Sequence, residues 1–375
     1  MSDLGSIWFW QRFVSPHKSF LADELGFLVD NVNYVANNFI TRERKEMGWT
    51  SSRFKRSKIY IKKNQNSLYK LISKIPKNSI HLCQGLRANG LVSDVQKFLV
   101  KKKFKQWLFM EIVEDNNFIG LIKRFLYKFL LFKSKNNIKG ILAIGNGATA
   151  WYSARGFDSK KIYPFAYFMS DKISKIIYSG KRPAKFRFIF VGQIIKRKRI
   201  DFLIKALYKI RNLIDFELQI IGDGPLKKQL KISSEKLLPN RVKWLGSIPM
   251  KNIPKNIAKA DCLVLPSRHD GWGSVVSESL MVGTPVICSD GCGSSVIVKA
   301  SKVGGIFRRN EINKFSLMLK KIIQKGRISN YKRDKIRKWA RCLGAKEGSK
   351  YLLNILNHAY GNSNRPNPPW IKMKK

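Results

Sequence analysis

The chain has 375 residues, of which 44% are hydrophobic and 12% aromatic. This composition excludes global disorder and collagen-like structure, and the length predicts two to three domains. Lys and Arg number 73 against 24 Asp and Glu, which gives a formal net charge of +49. Such a charge attracts anionic partners such as membrane surfaces, nucleic acid or phosphorylated substrates, and composition bias is its alternative source. Because no zinc-finger or RNP pattern is found, we expect no nucleic-acid partner.

The sequence shows no sign of membrane insertion or secretion. It contains no run of about 18 uncharged apolar residues, the length that a spanning helix needs. The first residues lack a basic region and a small-residue cleavage site. The five cysteines are scattered, and only Cys288 and Cys292 lie close together, which favours reduced thiols over a zinc site. We therefore expect a cytoplasmic protein.

The first half of the chain predicts an α/β domain over residues 1–170. Short apolar runs predict strands at residues 7–10, 31–35, 79–83, 106–112 and 138–144. After the first strand, Ser15-Pro16-His17 predicts the start of a helix with Pro16 at its first position. A polar and basic segment at 171–185 is the expected linker.

Residues 119–135, IGLIKRFLYKFLLFKSK, predict a helix with two unlike faces. Arg124, Lys128 and Lys135 follow one stripe, and apolar side chains form a broad opposing face. Two interpretations are open. The helix lies on an anionic membrane surface, or it is an ordinary core helix.

The second half alternates short strands and helices more clearly. Strands are predicted at 188–192, 216–222, 242–246, 262–266 and 285–289, and helices at 200–214, 226–237, 253–260 and 274–282. This alternation predicts a parallel sheet covered on both faces, a doubly wound domain over 186–330. Its ligands are expected at the carboxyl ends of the strands. Helices at 331–360 are expected to return to the N-terminal domain, and residues 361–375 to form an irregular tail.

The segment LPSRHDGWGSVVSESLMVG, residues 265–283, is the richest in chemistry. Glycines directly before a helix let backbone amides approach a ligand, and the helix dipole favours an anion there. Asp270 and Glu278 border these amides. The pattern suits a phosphate-bearing ligand with several hydroxyl groups, because carboxylates accept hydroxyl protons. A surface helix with an incidental glutamate is the alternative.

A basic turn follows the strand at 188–192. Gly192 and Gln193 end the strand, and the run KRKR at 196–199 precedes the next helix. Basic side chains in such a loop point into the ligand crevice of a doubly wound sheet. They suit a departing diphosphate, which gains negative charge. A solvated turn and a nucleic-acid patch are the alternatives.

Four strings appear in an order that resembles the retaining glycosyltransferases of family 4. They are FVGQ-x4-K-x2-D-x-LI-x-AL, IIGDGP, WLG and ADCLVLPSRHDGWGSVVSESL-x2-G-TPVI-x-SD, and they cover residues 186–310. WFWQRFVSPH, AIGNGATAWYSARG and the terminal KWA…Y…PPW resemble, more weakly, a bacterial subgroup that builds surface polysaccharide. The resemblance implies the GT-B fold, in which two Rossmann-like doubly wound domains face each other across a cleft.

The resemblance also implies roles for individual residues. Glu278 would bind the ribose hydroxyls of a nucleotide sugar, Asp270 would lie beside the transferred sugar, and Lys198 would neutralise the diphosphate. The remaining donor-binding positions are Gly192, Gln193, Gly271, Trp272, Gly273 and Ser274.

Three positions depart from the family pattern. Asp270 stands where Glu is common, and Gln193 where Arg is common; Lys196, Arg197, Arg199 or Arg268 would then compensate for the missing cation. Ser15-Pro16-His17 replaces a Gly-rich loop.

Two residues of the first half are further candidates. His17 either touches the acceptor or sugar, as a catalytic residue, or is structural. Glu111, at the end of a predicted strand, is a weaker candidate, and His81 is expected to be structural.

The sequence thus predicts a retaining glycosyltransferase that moves a sugar from a nucleotide-diphosphate donor to a glycan or lipid-linked acceptor. No metal or other cofactor is expected, and an anionic membrane surface is an expected partner, at the inner face of the cell membrane. Two alternatives stay open. One is a sugar-nucleotide epimerase of the same fold, and the other is a catalytically silent basic protein that binds an anionic polymer or membrane.

Overall fold

The structure, a computed structural model, describes residues 5–50, 54–62, 64–86, 90–115, 118–361 and 363–371. The chain divides into two compact units. Unit 1 comprises Met1–Arg42, Thr50–Ser170 and Gly344–Lys375, and unit 2 comprises Glu43–Trp49 and Asp171–Leu343.

Unit 1 is built on a parallel seven-stranded sheet. Its strands are β1 (Ile7–Phe13), β2 (Val32–Asn38), β3 (Lys58–Ile61), β4 (Ile80–Gln84), β5 (Gln106–Glu111), β6 (Ile138–Ile144) and β7 (Ile162–Phe165). They lie in the order β3-β2-β1-β4-β5-β6-β7, with every neighbouring pair parallel. The strand order reverses between β1 and β4, which is the topological switch point of a doubly wound sheet.

The helices of unit 1 cover the buried strands. They are α1 (Pro16–Leu25), α3 (Gln65–Ile72), α4 (Leu91–Lys101), α5 (Phe118–Ser134), α6 (Ala148–Ser153) and α14 (Ala345–Ala359). As predicted, Pro16 occupies the start of α1. The last helix, α14, packs against α1, and its Tyr351 hydroxyl donates to the Pro164 carbonyl at 2.8 Å. A short helix, α2 (Arg42–Glu46), lies where the chain passes into unit 2.

Unit 2 is built on a parallel six-stranded sheet. Its strands are β8 (Phe186–Val191), β9 (Phe216–Ile221), β10 (Val242–Gly246), β11 (Cys262–Leu265), β12 (Val286–Ser289) and β13 (Gly304–Phe307), in the order β10-β9-β8-β11-β12-β13. Its helices are α7 (Ile200–Tyr208), α8 (Lys227–Leu237), α9 (Ile253–Lys259), α10 (Ser274–Met281), α11 (Ser295–Ser301), α12 (Ile312–Gln324) and α13 (Asn330–Ala340). The switch point lies between β8 and β11.

The predicted fold class, two doubly wound α/β domains, is confirmed by these sheets. The sequence analysis missed three strands, β3, β7 and β13, and each of them lies at the edge of its sheet. An edge strand needs no continuous apolar run and tolerates proline, so β3 is only partly buried and β7 contains Pro164. Helix α7 ends at Tyr208, earlier than predicted, because the following turns form i→i+3 bonds such as Ile210 N–H to Leu207 O at 3.1 Å.

The segment expected to be a linker, 171–185, belongs to unit 2 and includes a short 3₁₀ helix at Asp171–Lys175. Of the two helices expected to return to the first domain, α13 lies in unit 2 and α14 in unit 1. Residues 363–371 form no helix or strand. Trp370 is nevertheless buried, at 6.5 Å between ring centroids from Phe168.

Helix α5 is not a core helix, so that interpretation of residues 119–135 is wrong. Only Gly120 and Leu131 of this 17-residue helix are buried. Six apolar side chains at helical spacing are exposed instead: Phe118, Leu121, Ile122, Phe125, Phe129 and Phe132. The described residues include no helix that combines the length and the apolar character required to cross a bilayer.

Candidate active site

The chemistry-bearing loops of unit 2 follow β8 and β11, which are neighbours at the switch point of the sheet. Carboxyl ends of parallel strands meet at one edge, so the loops at 192–199 and 266–273 lie together. The backbone confirms this, because the Arg268 N–H donates to the Arg197 carbonyl at 2.8 Å. The switch point is where such sheets hold ligands.

Glycine permits the close approach of the loops after β8 and β9. A Cβ on Gly222 would lie 1.9 Å from the carbonyl oxygen of Gly192, and Gly222 has a φ of +138°. The Lys198 side chain passes the same place, since its Cε lies 3.7 Å from where a Cβ on Gly192 would stand. The aliphatic part of the Lys198 side chain therefore passes close to the backbone of Gly192, where there is no side chain.

Asp270 is held by backbone and by cations. Its N–H donates to the Gly291 carbonyl at 3.0 Å, and its carbonyl accepts from the Gly293 N–H at 2.8 Å. Its carboxylate forms an ion pair with the Lys198 ammonium, and both side chains are largely buried. The Arg197 guanidinium lies 3.9 Å from the other carboxylate oxygen. Lys198 and Arg197 of the loop at 192–199 therefore form one charged cluster with Asp270 of the loop at 266–273.

Helix α10 starts beside this cluster. Gly273, directly before the helix, has a φ of +83°, and a Cβ there would lie 2.8 Å from Leu265 Cδ2. The preceding Trp272 is buried, and its Nε1 donates to Ser277 Oγ at 3.1 Å. Backbone amides at the start of α10 are therefore presented beside Asp270 without an intervening side chain.

Glu278 lies one turn into α10 and is only 6% exposed. Its carboxylate makes no hydrogen bond or ion pair with any residue that the structure describes. Burial raises the pKa of Glu278 to about 8. Buried polar groups in native proteins normally have partners, so a partnerless carboxylate indicates a ligand that donates hydrogen bonds.

This raised pKa predicts a pH dependence of stability. The ordinary pKa of a glutamate in an unfolded chain is about 4.3. Between that value and about 8, the folded state binds more protons than the unfolded state, so the free energy of unfolding falls as the pH rises. Relative to Glu278→Gln, we expect the Tm of the ligand-free protein to fall from about pH 5 to about pH 8 and then level off. If the difference in Tm between the wild type and Glu278→Gln stays constant over this pH range, the raised pKa of Glu278 is contradicted.

The structure distinguishes among the cations that might replace the arginine missing at position 193. Gln193 itself is half-buried. Arg197 faces Asp270, and its Nη1 donates to the His269 carbonyl at 2.7 Å. Lys196 is exposed, and Arg199 donates to the Arg309 carbonyl at 2.5 Å. Arg197 is therefore the cation best placed to assist Lys198.

In unit 1 the predicted candidates His17 and Glu111 lie in one cluster. The His17 ring stacks on Tyr167 with centroids 5.2 Å apart, and the Tyr167 hydroxyl donates to the Glu111 carboxylate. The sequence analysis missed Lys18, whose buried Nζ lies 3.1 Å from the centre of the Phe109 ring and has no hydrogen-bond partner among the residues described. Burial holds the pKa of Lys18 well below its usual value, which Glu111 partly offsets. The only feature of the sequence that could have indicated Lys18 is its position in the first turn of α1, directly after β1.

His81 has a structural role, as predicted. It is fully buried in β4, and its Nδ1 accepts from Trp10 Nε1 at 3.1 Å. Burial lowers the pKa of His81 to about 3, so the ring stays neutral.

Residues 172–341 match the family model described as glycosyl transferases group 1. An uncharacterized glycosyltransferase of Methanocaldococcus jannaschii is 28% identical over 208 residues, which are 49% of this chain and 58% of that protein. The UDP-Gal:alpha-D-GlcNAc-diphosphoundecaprenol alpha-1,3-galactosyltransferase of Escherichia coli is 31% identical over 165 residues, 43% of this chain and 41% of that protein. The matches to these two relatives span about three-fifths or less of their length.

The fold extends beyond the matched segment. The structure of Anabaena Alr3699/HepE in complex with UDP aligns with a TM-score of 0.70 over 94% of this chain and 100% of that one, at 14% identity. At this identity the likeness shows the fold alone. The expected GT-B fold is thereby confirmed.

Proposed function

We propose that this protein is a retaining glycosyltransferase that uses a nucleotide-diphosphate sugar as its donor. The observation that carries the proposal is the buried Glu278, which has no side-chain partner among the described residues and lies on the helix that starts beside the Lys198–Asp270 pair. The match of residues 172–341 to a glycosyltransferase family model supports the same conclusion.

Each part of the donor has a complementary group in this site. Ribose hydroxyls donate to the Glu278 carboxylate, which gains the partners that it lacks. The diphosphate accepts from the backbone amides at the start of α10 and from the Lys198 ammonium. Asp270 lies beside both and positions the sugar. The structural similarity to Anabaena Alr3699/HepE, whose structure is known in complex with UDP-glucose, supports a UDP-linked donor.

The charges favour departure of the diphosphate over covalent catalysis by Asp270. When the bond between the sugar C1 and the diphosphate oxygen breaks, negative charge grows on that oxygen, where Lys198 and Arg197 stabilise it. A carboxylate already paired with two cations is a weak nucleophile. In the proposed same-face route, the acceptor oxygen bonds to C1 while its proton moves to the departing diphosphate, so configuration is retained.

The site needs no metal in this proposal, because lysine and arginine supply the positive charge at the diphosphate. We expect turnover to be unchanged after treatment with EDTA. A loss of activity that Mg²⁺ or Mn²⁺ restores would contradict this part.

Turnover of a radiolabelled nucleotide sugar, with and without a glycan or lipid-linked acceptor, tests the activity. A transferase consumes donor only when acceptor is present and forms a labelled product with retained configuration. An epimerase converts or hydrolyses the donor without acceptor, and a silent binding protein leaves it intact. Thermal stabilisation by a panel of nucleotide sugars first identifies the donor.

The proposed acceptor is a glycan or a lipid-linked sugar in the synthesis of a surface polysaccharide. The similarity to the Escherichia coli alpha-D-GlcNAc-diphosphoundecaprenol galactosyltransferase supports a lipid-linked acceptor. In unit 1, His17 and Glu111 lie at the carboxyl edge of the sheet and are the proposed acceptor-side residues.

Helix α5 supports the proposal that the protein works at an anionic membrane surface, on the cytoplasmic side. Its exposed apolar face includes four phenylalanines, with Phe125 75% exposed. Lys128, Lys133 and Lys135 are exposed on or directly after the same helix. A phenylalanine-rich face with adjacent lysines complements the acyl boundary and the headgroups of an anionic leaflet.

Contacts with the rest of unit 1 fix the opposite side of α5. Asp115 accepts from Arg124 Nε at 2.8 Å and from Trp151 Nε1 at 2.8 Å. Tyr127 packs edge-on against Trp151 with centroids 5.2 Å apart. Arg124 is therefore an anchor of the helix, and a membrane test should leave it in place.

We expect the protein to sediment with anionic vesicles at low salt and to be released by high salt, because each basic residue near an anionic leaflet contributes about 1 kcal/mol. Replacing Lys128, Lys133 and Lys135 by Gln should weaken sedimentation. Replacing Phe125 and Phe129 by Ser should weaken it too, with no loss of thermal stability.

The matched control carries the same charge change on α8 of unit 2, where Lys228, Lys231 and Lys236 are exposed. If the α8 variant loses as much vesicle binding as the α5 variant, the net charge alone drives association. Protein that stays in the supernatant at low salt would overturn the membrane proposal.

A further inference from the structure

Unit 2 contains a cavity of about 110 Å³ that none of the candidate active-site residues lines. Its wall is formed by residues 177–179, by Arg182, by Ala258 of α9, by Val282 after α10 and by α13. Three of the lining side chains are arginines: Arg182, Arg333 and Arg337. A concave site with three guanidinium groups calls for an anionic occupant.

Arg333 is the most buried of the three, with 2% of its surface exposed. Its Nη2 donates to the Ala260 carbonyl at 2.8 Å and its Nη1 to Thr284 Oγ1 at 3.0 Å. Its Nε is buried and has no hydrogen-bond partner in the part of the chain that the structure describes. A buried donor left unpaired in this way is uncommon and costs stability, so a partner for it is expected.

The charges around the cavity do not balance. Two carboxylates form ion pairs with four arginines. Asp261 pairs with Arg182, Arg327 and Arg333, and Asp334 pairs with Arg337. Asp334 is also bound by Lys338 at 3.3 Å. The cluster therefore carries an excess of at least two positive charges. Burial, and then the charge of Arg182, lowers the pKa of Arg333 to about 10.

We propose that this cavity binds one phosphate-class oxyanion, either inorganic phosphate or the phosphate group of a small monoester. A phosphate carries about the negative charge that is needed to balance the excess positive charge of the arginines. Its oxygens point in tetrahedral directions, so several guanidinium groups can donate to them. The cavity has room for several water molecules, which is sufficient for one such ion. This inference does not depend on the proposed transferase activity.

Calorimetric titration with inorganic phosphate tests the site. Ionic strength is held constant with KCl, since a chain of charge +49 attracts anions everywhere. UDP is kept at saturation to occupy the proposed donor site. We expect one equivalent of phosphate to bind, and we expect Arg337→Gln to weaken it at least tenfold. Lys335→Gln, an exposed residue on the same helix that neither lines the cavity nor belongs to this charge cluster, should bind phosphate as the wild type does.

A second pair of variants avoids disturbing the arginines. Ser179 lines the cavity and is exposed, so its replacement should leave the fold intact. Ser179→Asp places a carboxylate at the site and should weaken phosphate at least tenfold, whereas Ser179→Asn should not. Equal phosphate binding by these two variants, or no saturable binding by the wild type, would overturn the proposal.

Titration with glycerol 3-phosphate in parallel separates the two sources of the anion. Tighter binding of the monoester assigns the site to phosphorylated metabolites, and tighter binding of phosphate assigns it to the free ion. If UDP itself fails to bind, the proposed donor site is wrong. The comparison of phosphate binding by Ser179→Asp and Ser179→Asn still tests whether the cavity binds the anion.

Discussion

Replacing Lys198 by Ala is expected to lower kcat about 100- to 1000-fold, the cost of removing one group that stabilises developing charge. In the ligand-free protein the ammonium is paired with Asp270. When the donor binds, we expect the same ammonium to serve the diphosphate, whose charge grows only as the sugar leaves. A group that acts in the transition state changes kcat more than the donor KM. Steady-state kinetics with varied donor measures both.

The matched control for this prediction is Lys196→Ala. Lys196 belongs to the same basic turn but is exposed. It should lower kcat by less than a factor of about three, the size of a weak surface charge effect. If Lys198→Ala raises only the donor KM, Lys198 binds the donor in the ground state and does not stabilise the transition state. If it has no effect, Arg197 is the residue that stabilises the leaving diphosphate.

Replacing Glu278 by Ala is expected to weaken nucleotide binding by roughly tenfold or more, because a hydrogen bond to a charged group contributes about 1.5–3 kcal/mol. A protonated carboxyl group donates one hydrogen bond, whereas the ionised carboxylate only accepts, so ribose hydroxyls that donate to both of its oxygens favour the ionised form. Since burial raises the pKa of Glu278 to about 8 in the free protein, nucleotide binding near pH 7 should release a proton. Calorimetry in buffers of different ionisation enthalpy measures this release together with the affinity.

Two controls separate the ribose contact from other effects. Glu278→Gln keeps the size of the side chain and should remove the proton release that the carboxylate causes. Glu235→Ala removes an exposed glutamate from α8 of the same unit and should leave the affinity unchanged. Unchanged UDP affinity in Glu278→Ala would exclude Glu278 from the donor site.

The unit 2 site was largely predictable because its signals are local. Asp270, Gly273 and Glu278 lie within nine residues, and a glycine before a helix predicts exposed amides. Lys198 lies 72 positions from Asp270. The sequence analysis still placed both residues in the same ligand crevice, because the parallel strands of a doubly wound sheet all end at the same edge.

Other features depended on tertiary packing, which the sequence pattern does not contain. Helix α5 has an apolar face as broad as that of a core helix, and only its placement shows that Phe125 and Phe129 face outwards. Lys18 resembled a surface lysine, but the ring of Phe109 covers it. The arginine cavity joins residues 177–179 and Arg182 to α13, about 150 positions later, and no local motif marks that contact.

The return of the chain to unit 1 at Gly344 sets an order for events on the ribosome. Helix α14 packs against α1, but it is translated only after all of Asp171–Leu343. At 5–20 residues per second, translating these 173 residues takes roughly 9 to 35 seconds. Throughout it, the surface of α1 that α14 will cover stays open to water, to chaperones and to other nascent chains. The continuous stretch of unit 2 is therefore complete while the sheet that began the protein still awaits its last helix.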